Sequence, residues 1–234
     1  MTDLNKIIEI PDPNFKRYLV ENFDKDGDGE ISIAEALEVK EIGCWCEYIA
    51  SLEGLEYFAN LECLECQDNI IMFLDLSGNP KLKRLNCSMN LISQLDVSMC
   101  PNLEILLCFQ NYLTTIDVCA NSDLSYLQCS YNSLKNLNLD NNTNLRYLRC
   151  DGCSLENLSV SYNRNLLYLG CSDNDFSELN LESSPFLKLV DIDMCLNLSL
   201  IKLNKNIRNS DLLKFDAIGN MEHIEIEYSL CKTV

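Results

Sequence analysis

A single histidine, His223, is all that 234 residues offer, and the 18 basic side chains are half the number of the 36 acidic ones, giving a net charge of −18. The lone histidine, with no nucleophile elbow and no glycine loop able to cradle phosphate, removes the usual starting points for catalysis. The carboxylates leave glycoside hydrolysis open by composition, yet nothing outlines a pocket, so the chain reads as non-catalytic. A basic face is also missing, which argues against nucleic acid and against anionic membrane surfaces, since both draw on Lys and Arg to meet phosphates. No run of 18 apolar residues occurs, so no membrane-spanning helix is expected. The opening Met1-Thr2-Asp3-Leu4-Asn5-Lys6 lacks the basic-then-apolar pattern of a secretory signal, as expected of an intracellular protein or of one whose leader has been removed.

What the sequence does have is a leucine every 21 residues: Leu61, Leu82, Leu103, Leu124, Leu145, Leu166 and Leu187. Counting that leucine as place one, place four holds Leu64, Leu85, Leu106, Leu127, Leu148, Leu169 and Val190. Place six holds Cys66, Cys87, Cys108, Cys129, Cys150, Cys171 and Ile192, and place nine is asparagine except for Cys153 and Cys195. A second apolar pair follows in each unit, as in Leu74/Leu76 and Leu95/Val97. So short a unit cannot enclose a core, and must bury its apolar places against the next unit, which makes a solenoid. Each coil is expected to begin with a short strand that sends places four and six inward and leaves three, five and seven facing out. The ninth-place asparagine falls where the chain turns, and its amide can bond backbone groups left unpaired by the bend.

The pattern L-x-x-L-x-C-x-x-N resembles the leucine-rich repeat family, with cysteine in place of the third leucine. Residues 51–61, Ser-Leu-Glu-Gly-Leu-Glu-Tyr-Phe-Ala-Asn-Leu, resemble the entry segment of short bacterial, internalin-like members, and a helix-loop-helix ahead of them resembles the caps on such proteins. The resemblance implies an α/β solenoid, a right-handed coil with one parallel sheet on its concave face. The chain divides accordingly into a cap over 1–38, repeats over 39–195 and a C-terminal cap over 196–234. The first coil is irregular, with Val39, Ile42 and Cys44 inward, then Ile49, Leu52, Leu55 and Phe58. After Ile192 the register slips, and Leu198, Leu200, Ile201 and Leu203 depart from the template. Ser210-Asp211 is expected to start a short helix through Phe215, residues 224–228 alternate like a strand, and His223 reads as a surface or cap residue.

Within the N-terminal cap, residues 7–10 suggest a short strand or packing arm. Asp12-Pro13 has the form of a helix N-cap followed by proline, starting a helix through Phe23 whose apolar face is Phe15, Tyr18, Leu19 and Phe23. Next comes Asp24-Lys25-Asp26-Gly27-Asp28-Gly29-Glu30-Ile31-Ser32-Ile33-Ala34-Glu35, which matches the EF-hand calcium loop place for place. A hard cation takes six to eight oxygens, so Asp24, Asp26 and Asp28 would each supply one carboxylate oxygen, and Glu35 two. Glu30 would add its carbonyl and Ser32 a hydroxyl or a bridging water, while Gly29 permits the bend and Ile31 points inward. Only one such loop is present, where EF-hands usually pair, so it reads as a calcium staple, with an exiting helix over about 33–39.

Half of the 14 cysteines fall on place six or its equivalent, Cys44, where cysteine acts as a small buried hydrophobe. Neighbours on parallel strands point the same way about 4.8 Å apart, longer than a disulfide prefers, which implies a ladder of reduced thiols.

Recognition is expected on the outward places. Ile105, Leu107 and Phe109 lie on one strand beside a ladder of Tyr126, Tyr147 and Tyr168, with Tyr131 and Arg149 nearby, the composition of interface hot spots. Two readings stay open: a module that binds a protein partner or mediates adhesion, and a glycan-binding or rigid spacer module of a larger surface protein. A lone calcium loop fills more readily outside a cell, which points to secretion or the cell surface, whereas reduced thiols point to the cytoplasm.

Overall fold

The strands are short because each unit turns away as soon as its two inward places are spent. In the computed structural model, which describes residues 3–204, 214–216 and 224–229, most are three residues long. β1 (Glu41–Gly43), β2 (Cys63–Glu65), β3 (Arg84–Asn86), β4 (Ile105–Leu107), β5 (Tyr126–Gln128), β6 (Tyr147–Arg149) and β7 (Tyr168–Gly170) pair in sequence order. With β9 (Leu189–Asp191) and β11 (Lys214–Asp216) they complete a nine-stranded parallel sheet. Its register is the sequence period: Cys63 faces Arg84, Arg84 faces Ile105, and Ile105 faces Tyr126. Places one, four and six are buried in every unit, leucine against leucine and cysteine against cysteine.

The turn after each strand repeats as regularly. The residue at place eight has positive φ, between 52 and 59°, in eight consecutive coils: Cys46, Asp68, Met89, Gln110, Tyr131, Gly152, Asp173 and Met194. Place nine then closes the bend, as expected. The Asn90 side-chain N–H donates to the carbonyls of Cys66 (2.9 Å) and Cys87 (3.1 Å), and its oxygen accepts the Ile71 N–H at 3.0 Å. A second clamp recurs on the far side of the coil. Asn79, Asn121, Asn142 and Asn163 are fully or almost fully buried and donate to carbonyls of the coil before, Asn121 to Val97 (3.0 Å) and Cys100 (2.8 Å), for example. Only the ninth-place asparagines stood out in the sequence, although this second set obeys the same period.

The repeat continues beyond Ile192 in altered form. β8 (Glu178–Asn180), β10 (Leu200–Asn204) and β12 (Glu225–Ser229) make a second, three-stranded parallel sheet in the order β12-β10-β8. Ile201 pairs with Leu179, so the residues that depart from the template are the second apolar pair displaced by one residue, and Leu198, Ile201 and Leu203 are buried. The expected final strand is β12. Lys214–Asp216 is strand rather than helix, because Phe215 continues the inward column beside Val190. Residues 210–213 and His223 lie outside the described residues. Among the described residues the only α-helices, α1 (Pro13–Phe23) and α2 (Ile33–Ala36), belong to the N-terminal cap, and α2 ends sooner than the expected 33–39.

Candidate functional site: the strand face and the capping loop

The middle strands bring the predicted outward residues into one patch. Ile105, Tyr126, Tyr147 and Tyr168 stand in register across β4 to β7. The rings of Tyr126 and Tyr147 stack with centroids 5.7 Å apart at 25°. Arg149 lies over the Tyr168 ring, 5.9 Å from its centroid. Ile105, Leu107, Phe109, Tyr126 and Tyr168 are half-buried, since neighbouring strands shield them, and Tyr147 is 42% exposed. Tyr131, at the place-eight turn, is set apart on the flank, where a Cβ on Gly152 would meet its ring at 2.8 Å.

Place seven was expected to face outward throughout, and here Ser88, Ser130 and Asp151 are buried instead. The strand has ended by that point, so short side chains there fold under their neighbours. Asp151 accepts from Arg149 Nε (3.1 Å), Ser130 Oγ (3.0 Å) and the Ser172 N–H (3.1 Å). Burial alone would lower the Arg149 pKa, but the Asp151 carboxylate outweighs it and holds the guanidinium charged. Gly170 makes room: a Cβ there would lie 3.1 Å from Asp151 Oδ1 and 3.3 Å from Arg149 Nε. Asp151 thus fixes the one cation of the aromatic patch, a role its sequence neighbours did not signal.

In the cap, the Asp12 carboxylate accepts the N–H groups of Asn14 and Phe15, and on its other oxygen those of Ala50 (2.8 Å) and Ser51 (3.1 Å), which joins α1 to the first coil. The loop after α1 brings Asp24, Asp26 and Asp28 together, with ligand oxygens within 4.8 Å of one another. Asp24 accepts the N–H groups of Gly27 (2.7 Å) and Gly29 (2.9 Å), and the positive φ of Gly29 (84°) permits that close turn. Ser32 and Glu35 form a capping box on α2, and Glu35 also accepts the Lys25 N–H at 2.7 Å. Burial raises the Glu35 pKa, but bonds from Ser32 and Lys25 prevail and hold it below the usual carboxylate range. Glu30 pairs through its side chain with Lys16 at 2.7 Å, leaving its backbone to the loop. Residues 6–8 bridge the end of this loop in antiparallel fashion: the Ile8 N–H donates to the Ile31 carbonyl (2.8 Å) and the Ile33 N–H to that of Lys6 (3.0 Å).

All cysteines among the described residues are free thiols. Burial pushes the ladder thiols up, to about 12 at Cys44 and Cys87, so they are protonated at neutral pH.

Known structures share this architecture. The functional domain of InlJ from Listeria monocytogenes, described as including a cysteine ladder, is 22% identical with a TM-score of 0.67 over 98% of this chain, which spans 64% of that protein's length. Internalin C2 of Listeria monocytogenes is 21% identical with a TM-score of 0.76, over 92% of this chain and 96% of its own. Internalin InlF of the same species is 19% identical with a TM-score of 0.70, over 97% and 78%. No protein-family model and no curated protein matches the chain. The shared fold is that of a bacterial, internalin-like leucine-rich repeat solenoid.

Proposed function

We propose that this chain is a non-catalytic recognition module that binds a protein partner through the middle of its strand face. The observation that carries the reading is the ordered cluster of Tyr126, Tyr147, Tyr168 and Arg149 beside Ile105, Leu107 and Phe109. Rigid aromatic and guanidinium groups lose little entropy on binding and dominate interface energies. A glycan reading fits less well, because Tyr126 and Tyr147 stack on each other and Arg149 covers Tyr168, so ring faces that a sugar would need are taken. Replacing Phe109 and Tyr147 with alanine should abolish capture of a surface-protein partner while the double variant stays folded. Lost stability with unchanged capture would sink the reading, and loss of signal on a glycan array would move it to sugars.

We propose further that the cap holds calcium. The donor chemistry suits a hard cation: the Asp24, Asp26 and Asp28 carboxylates converge in the loop, and the Glu30 carbonyl, Ser32 and Glu35, whose carboxylate now accepts from Ser32 and Lys25, would complete the oxygen set. Bound calcium would neutralise the crowded aspartates and staple the loop to α2. Unfolding with calcium and with chelator tests this, the expected gain being about 2.7 kcal/mol at a hundredfold excess over Kd. An identical midpoint in both conditions, or one insensitive to Glu35→Gln, removes the staple. The two functions together fit a secreted or surface protein, with the cytoplasm as the alternative.

A further inference from the structure

The chain's single tryptophan stands at the N-terminal end of the strand face. Trp45 follows β1 and is 47% exposed. Gly43 makes that position possible: a Cβ there would lie 2.5 Å from Cζ3, 3.2 Å from Cε3 and 3.4 Å from Cη2, so the benzene edge of the indole rests against the strand. Held by one edge, the indole keeps π surface turned to solvent, and a large apolar group left uncovered in this way is typical of a contact point. Glu41 is the next outward residue of the same strand, about 6.6 Å along it from Gly43.

Around the indole runs a groove of about 610 Å³. The register sets Glu41, Cys63, Arg84 and Ile105 side by side on β1 to β4, with Glu65 beside Gly43. Ile105 also opens the aromatic row that continues through Tyr126, so the groove and the tyrosine patch form one surface.

The charges in the groove do not balance. Four carboxylates line it, those of Glu41, Glu62, Glu65 and Glu104, against the two cations of Lys83 and Arg84. Arg84 is taken by Glu65 at 2.9 Å and Lys83 by Glu62 at 2.7 Å, which Lys40 also approaches at 3.4 Å. Glu41 and Glu104 are in no ion pair among the described residues. An aromatic face beside an unpaired carboxylate attracts a cation through both the ring quadrupole and the charge. A sugar would gain from the ring alone, and a second copy of this chain would bring a further net charge of −18 against the same surface.

We propose that this groove docks a basic segment of the protein partner, an arginine or lysine head lying on the Trp45 indole with its charge met by Glu41. Glu104 extends the negative surface towards the tyrosine patch. The inference rests on the strand face being the recognition surface, and adds to it the sign and the kind of residue that the partner presents.

Because no other tryptophan is present, the fluorescence of Trp45 reports on this groove alone. The folded full chain is titrated with N-acetyl-Gly-Arg-Gly-amide, with the same peptide carrying neutral citrulline for arginine, and with cellobiose. Expected are a saturable change with the arginine peptide, binding about fivefold weaker with citrulline, and an affinity for the arginine peptide about threefold lower in Glu41→Gln, an exposed position that leaves the fold intact. Equal responses to the arginine and citrulline peptides overturn the proposal, as does no saturable change with either or an unchanged affinity in Glu41→Gln. A saturable response to cellobiose with none to the arginine peptide overturns it in favour of a sugar. The arginine response should persist in Phe109→Ala/Tyr147→Ala, whose own readout is partner capture, so the groove and the tyrosine patch stand or fall on separate measurements.

Discussion

Asp12 shows how one side chain can hold two elements. Burial pushes its pKa up, but four backbone N–H groups, from Asn14, Phe15, Ala50 and Ser51, outweigh that and leave it lowered. A lowered folded value means that the stabilisation is complete above the ordinary aspartate value of about 3.9 and is lost as pH falls through the folded one. Asp12→Ala should therefore cost about 1–2 kcal/mol at neutral pH, with the gap to wild type closing below about pH 4. Denaturant unfolding at both pH values measures it, and a gap unchanged in acid contradicts the account. The sequence marked Asp12 as a helix cap because Asp-Pro is a local signal. Its bonds to Ala50 and Ser51 were invisible because they depend on how the cap is set on the first coil. Asp151 was hidden for a similar reason: alternation assigns a direction only while the strand lasts, and place seven lies just beyond it.

At the scale of the coil, the place-eight turn is a fixed geometric demand met mostly by residues that dislike it. Left-handed backbone costs a non-glycine residue roughly 1–2 kcal/mol. Gln110→Gly should then raise stability by about 0.5–1 kcal/mol, after the entropy glycine loses on folding. Gly152→Ala should lower it by about 1 kcal/mol or more, since the new Cβ would also press on the Tyr131 ring at 2.8 Å. Chemical denaturation of both variants decides, and equal stabilities would show that the turn is not strained. Sequence reading located the bend through Asn69 and its repeats but not this conformation, because only Gly152 among the eight residues advertises it. The second sheet was concealed by the single residue inserted between Cys195 and Ile201, which shifts the pattern without interrupting the pairing of Ile201 with Leu179.

Over the whole molecule, stability is a sum of coil-to-coil interfaces, and the period is the unit in which the chain can be edited. Removing residues 103–123, one full period, should leave a folded, shorter solenoid in which Leu82 and Leu124 take successive place-one positions. Removing 103–122 should not, because a slip of one residue turns every inward side chain outward. Circular dichroism and the sharpness of thermal unfolding distinguish the two, and equal behaviour would mean that the register is not what holds the coils.

The three-residue strands carry a mechanical consequence. A pull on the two ends of the solenoid runs along the row of strands, so it loads each narrow ladder in opening rather than in shear. Such a ladder yields one rung at a time at low force. The molecule would lengthen in even steps, each releasing a single 21-residue coil, about 70 Å of extended chain.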